Sequence, residues 1–166
     1  MRPDDEQQGA PLCPSARPGM DGAVIIGVMG GSAREPRLAH LVQPLPVVDE
    51  VLALAAPASP TAVFRFAAPC AGDACTHFAE NRCRLATRIV EQLPEAVDGL
   101  PACRIRPDCR WWRQEGKAAC LRCPMIVTET ANPTDELREA TDPTVYAARG
   151  VAYVEADTNG GATFSS

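Results

Sequence analysis

Apolar residues in this chain come in short bursts, and two periods can be read in them. Residues 23–28 (AVIIGV) form a continuous apolar run closed by Gly30-Gly31, the pattern of a short buried strand. Residues 61–66 (TAVFRF), introduced by Pro60, are β-branched and aromatic and predict a second strand that delivers Cys70. Between them a helical period appears over residues 46–56, where Val48, Val51 and Leu52 share a face. The clearest helix is predicted over residues 81–93, with Leu85, Ile89, Val90 and Leu93 on one stripe and Pro94 ending it. Asp108 is placed to cap a short helix over residues 109–114, with Gly116 as its stop, and a last short helix is predicted over residues 134–140.

These periods predict an α+β domain. Its 166 residues suit one domain, and its 16 prolines break it into small elements. With only 5% aromatic residues, the core must rest on Leu, Val, Ile and Ala, and a metal would help to hold so piecemeal a fold. Residues 1–22 read as a flexible leader that carries Cys13. The boundaries expected are a leader over 1–11, a cysteine-rich domain over 12–130, and a short helix with a disordered acidic tail over 131–166.

Eight cysteines change the picture: Cys13, Cys70, Cys75, Cys83, Cys103, Cys109, Cys120 and Cys123. Seven fall within the 54 residues from Cys70 to Cys123, so they are read as a set. Cys120-x2-Cys123 is the sharpest element, because two intervening residues let both sulfurs face one metal; zinc and iron–sulfur sites both use it. Pro124 directly after it resembles the ending of bacterial ferredoxin runs, although no C-x2-C-x2-C run is present. The remaining spacings are too irregular for a zinc ribbon with its two C-x2-C knuckles. An iron–sulfur cluster, [4Fe–4S], one or two, is therefore preferred to zinc. Its expected ligands are Cys70, Cys75, Cys83, Cys103, Cys109, Cys120 and Cys123, with Cys13 and His77 as further candidate metal ligands. Several partitions stay open: two four-cysteine sites, one site with leftover thiols, or a three-cysteine, one-histidine site.

Charge bears on partners. Residues 77–125 carry nine Lys/Arg against six Asp/Glu, and residues 126–166 carry two against seven. A mildly basic surround suits thiolates, and it falls short of the basic domain expected of a nucleic-acid binder. The acidic start shows no secretory pattern and no apolar run is long enough to span a bilayer, so the expectation is a cytoplasmic protein with reduced thiols.

Other motifs read more plainly. Arg104, Arg106, Arg110, Trp111, Trp112 and Arg113 could stack a base or a partner, but a cover that shields the metal and balances its charge is preferred. Gly27-Val28-Met29-Gly30-Gly31-Ser32 lacks the spacing of a phosphate loop and is read as a turn. His40 has no assignable partner, and Asp49 and Glu50 read as a solvated helix face. No catalytic constellation can be defended, so the chain is read as more of a carrier than an enzyme by itself.

The strings LCPSARP, VFRFAAPC and CRIRPDCRWWRQEGKAACLRCP together resemble an uncharacterised family of small cysteine-rich bacterial proteins, cyanobacterial and actinobacterial, sometimes loosely labelled "nitrogen fixation protein". The resemblance covers roughly residues 12–130 and implies that Cys13 joins the ligand set; it implies no assigned reaction. The expected function is electron transfer or redox sensing with a redox partner protein. Two alternatives stand beside it: a zinc-stabilised module binding protein or nucleic acid, and a thiol-dependent accessory protein using Cys13.

Overall fold

The computed structural model describes residues 9–32, 34–126 and 134–143. Its elements are β1 (Leu12–Ala16), β2 (Val24–Gly31), β3 (Pro36–Pro46), α1 (Asp49–Leu52), α2 (Pro60–Val63), β4 (Phe64–Pro69), β5 (Phe78–Ala79), β6 (Arg82–Cys83), α3 (Arg84–Gln92), α4 (Arg110–Glu115), α5 (Lys117–Arg122) and α6 (Asp135–Thr141). The fold is α+β. Four strands form an antiparallel sheet in the order β1-β4-β2-β3, and β5 and β6 make a separate hairpin.

The sheet has a core on each face because β4 alternates. Phe64, Phe66 and Ala68 join Ile25, Ala16 and Ala55 on one face, with Val51, Leu52 and Val63 packed alongside. Ala67 and Ile26 face the other way, into a larger core of Leu85, Ala86, Ile89, Trp111, Ala119 and Ile126. Arg65 shares the Ala67 face and is fully buried there. The stripe predicted on the clearest helix places Leu85 and Ile89 in that core, although α3 starts later than expected, behind the Cys83 cap.

Several expectations are corrected. Residues 12–16 are not flexible leader; they form β1, paired with β4 at Leu12–Pro69, Cys13–Ala68 and Ala16–Phe66. The strand expected over 61–66 begins only at Phe64, because Pro60, with its fixed φ, opens a helical turn instead. Asp108 does not cap α4: Cys109 occupies that position, and Asp108 ends a 3₁₀ turn over Arg106–Asp108. The edge strand β3 was not foreseen, since Pro36, Pro44 and Pro46 obscure its pattern; an edge tolerates proline because one side of the strand needs no donors.

The turn read over Gly27–Ser32 is also corrected: Gly27–Gly31 belong to strand β2 and pair with β3, and the chain reverses only between Gly31 and Pro36. Gly31 has φ of 75°, and a Cβ there would stand 2.1 Å from the Glu35 carbonyl oxygen, so only glycine fits. Gly116, at φ 67°, ends α4 and turns the chain straight into α5. The helix expected over 134–140 is α6, with the Thr134 hydroxyl accepting from the Leu137 amide at 3.2 Å. The tail expected to be disordered lies almost wholly outside the described residues. Among the described residues no helix is long and apolar enough to cross a membrane.

Candidate metal centres

All eight cysteines are free thiols, and the fold sorts them into two groups of four. Cys13, Cys70, Cys75 and Cys83 line a wide cavity of about 510 Å³. Cys103, Cys109, Cys120 and Cys123 line a narrow one of about 20 Å³. Electrostatics repeats the division. Burial pushes the Cys13 thiol from 9.0 up to about 11, and Cys83, Cys70 and Cys75 are the thiols that add to the shift. Burial likewise pushes Cys109 up to about 12, with Cys123 and Cys103 adding to it. Among the described residues, no three His, Cys, Asp or Glu side chains converge tightly enough to hold a single metal ion.

The wide set is assembled by strand pairing. Cys13 lies beside Ala68 in the β1–β4 ladder, and the Cys70 amide donates to the Pro11 carbonyl at 2.8 Å, so residues 57 positions apart reach one place. A 3₁₀ turn over Gly72–Ala74 carries the chain to Cys75, and the β5–β6 hairpin returns Cys83. Its two-residue turn uses Glu80 and Asn81 in the left-handed region, at φ 52° and 61°; for Glu80 this costs on the order of 1 kcal/mol. Gln114 of α4 then fixes Cys83: its Oε1 accepts from the Cys83 amide at 2.8 Å and its Nε2 donates to the Cys83 carbonyl at 2.9 Å.

The narrow set is assembled by helix ends. Cys109 is the N-cap of α4, Cys120 sits within α5, and Cys123 follows it at the start of a 3₁₀ turn over Cys123–Met125. Arg65 reaches in from the sheet and ties the group down. Its Nη1 donates to the Cys123 carbonyl at 2.9 Å and to the Ile126 carbonyl at 2.5 Å, its Nη2 to Cys123 Sγ at 3.2 Å, and its Nε to the Pro14 carbonyl. Burial raises the Cys123 and Cys120 thiols, while the charges of Arg65 and Arg106 respectively oppose the rise.

Both groups have donors aimed at sulfur. Arg110 Nε donates to Cys70 Sγ at 3.1 Å, with its guanidinium 5.2 Å from the Phe78 ring centroid, and the Gly72, His77 and Ala86 amides contact Cys70, Cys75 and Cys83. Around the narrow cavity the polar atoms are unmatched. His40 Nδ1 and Nε2, Arg106 Nε and Trp111 Nε1 are buried there without a hydrogen-bond partner. Burial lowers the His40 pKa, with Arg65 and Arg106 adding to the effect, so its ring is neutral. Unmet N–H groups in a dry pocket cost about 1–3 kcal/mol each, and an acceptor-rich occupant would remove that cost.

The residues singled out from sequence divide accordingly. Trp111 is buried and Arg106 stands over the Trp112 ring at 5.5 Å, an arrangement of the covering kind. Arg113 pairs with Asp108 at 3.0 Å at the surface and Arg104 is exposed; neither lines a cavity. His77 borders the wide cavity, yet its Nδ1 lies 2.9 Å from Arg88 Nη2. A guanidinium only donates, so Nδ1 accepts and the neutral ring's proton sits on Nε2. Burial and the Arg88 charge lower the His77 pKa to about 4, which keeps the ring neutral. Neither nitrogen then offers a free lone pair, and the set beside it is complete in cysteines. Arg65 and Gln114 escaped the sequence reading; the signal for Arg65 was a lone charge inside the apolar run VFRF.

No family model, curated protein or solved structure matches this chain.

Proposed function

We propose that the chain is an iron–sulfur protein that carries two [4Fe–4S] clusters and exchanges single electrons with a redox partner protein. The observation that carries this reading is the division of eight cysteines into two complete groups of four, each around its own cavity. Four thiolates are the ligand set of one such cluster, and eight are the set for two. Two further features support it. A zinc ion would draw four sulfurs to ~2.3 Å from one point, whereas the wide group rings a cavity of about 510 Å³. A cubane cluster sets its ligands further apart and presents sulfides as acceptors. Arg65, Arg106 and Arg110 also stand where they would offset the negative charge of thiolates and cluster.

The chemistry of such a centre is gain and loss of one electron, with the protein setting potential through hydrogen bonds, charge and solvent access. Analysis of protein purified without oxygen tests the reading. Iron and acid-labile sulfide near eight each per chain are expected, with a broad absorbance near ~400 nm. Zinc without sulfide would overturn it in favour of a structural module.

A further inference from the structure

Trp111, which is 2% exposed, lines both cavities. Strand β1 runs along the same boundary. Cys13 and Ser15 line the wide cavity and Pro14 lines the narrow one, as the alternation of a strand requires. Leu12, next to Cys13, forms a backbone bridge with Cys109 of the other group. Arg65 closes the junction: it binds the Pro14 carbonyl and Cys123 Sγ, with its guanidinium 5.7 Å from the Trp111 ring centroid. The two ligand groups are thus joined through one strand, one backbone bridge and one aromatic ring.

Resting on the two-cluster reading, we propose that the sites form one electronically coupled pair, exchanging electrons across the wall made by Trp111. In the exchange one electron leaves the reduced cluster of one site and arrives on the oxidised cluster of the other. No bond forms or breaks and no proton moves, so the step needs no further reactant. The partition suits it, because a buried indole keeps water from the wall and the Leu12–Cys109 backbone bridge sets the strand of one group directly beside a ligand of the other. Clusters that close also sense each other magnetically.

The test uses the full chain, loaded without oxygen, after its iron and sulfide have been counted. Dithionite reduces it stepwise, and electron paramagnetic resonance spectra are taken at about half and at full reduction. With the two potentials apart, molecules at half reduction hold mainly one unpaired spin and give a simple signal. Full reduction is expected to broaden and split that signal and to add a weak feature at half field. A fully reduced spectrum that only scales up the half-reduced one would overturn the proposal. The Cys120→Ser, Cys123→Ser double variant adds a second reading: its signal is expected to stay simple at full reduction, with about half the spins. A wild-type spectrum equal to the sum of that signal and one from Cys70→Ser, Cys75→Ser protein would overturn the coupling. Iron near eight with uncoupled spins defeats the coupling alone; a chain without iron and sulfide defeats the reading beneath it.

Discussion

The wide and narrow cavities carry four thiols each but are built and surrounded differently. Strand pairing and a tight hairpin gather Cys13, Cys70, Cys75 and Cys83, whereas two short helices bring Cys109, Cys120 and Cys123 to the loop that carries Cys103. Donors around the wide site are already engaged, with Arg110 on Cys70 and Arg88 on His77. The narrow site keeps buried nitrogens of His40 and Arg106 unmatched, with Trp111 Nε1 on the wall it shares with the wide site, and has a fully buried arginine bound to it. Donors and positive charge stabilise the more negative, reduced state of a cluster, so the narrow site is expected to hold the higher potential. Room separates them too: the wide cavity has space in hand, while the narrow one must part its side chains to admit a cluster. The wide site is therefore expected to load first. A shared ligand inventory does not make two sites equivalent; what lies behind the ligands distinguishes them.

The comparison breaks most sharply at Arg65. Arg65→Met keeps much of the apolar length but strips three carbonyls, of Pro14, Cys123 and Ile126, of their donor. A loss of about 3–5 kcal/mol in unfolding free energy is expected by urea titration. Iron in the narrow site should fall while the wide site keeps its own; equal loss from both would contradict the assignment of Arg65 to one site. Gln114→Ala tests the wide site in the same way, by removing the clamp on the Cys83 backbone. About 1–2 kcal/mol is expected there, with selective loss of iron from the wide site. The smallest change is Arg110→Gln, which deletes the cation beside Cys70. Losing about one charge-assisted hydrogen bond should lower the wide site's potential by roughly 60 mV and leave the narrow site's unchanged. A potentiometric titration that follows both centres would show a uniform shift if the two were not distinct.

Local pattern made part of this legible. β2, α3 and the Cys109 helix follow from apolar runs, a helical stripe and a glycine stop, all readable within a dozen residues. β3 was hidden because its prolines are acceptable only at a sheet edge, and edge position is a property of the whole sheet. The same limit governed the metal sites. Cys13 appears in the sequence as part of a leader, and only its pairing with β4 carries it to Cys70. Arg65 is a lone charge within an apolar run, and only the second core on that face makes it buried. Cysteine density pointed to a metal, but the partition into two groups depends on contacts between distant segments.

The central claim is that partition, and counting iron and sulfide in group-specific variants tests it most directly. Cys70→Ser with Cys75→Ser, and separately Cys120→Ser with Cys123→Ser, are each expected to lower both counts from about eight per chain to about four. The surviving four should belong to the untouched group. Either double variant retaining all of its iron, or either one losing all of it while still folded, would contradict two independent four-cysteine sites.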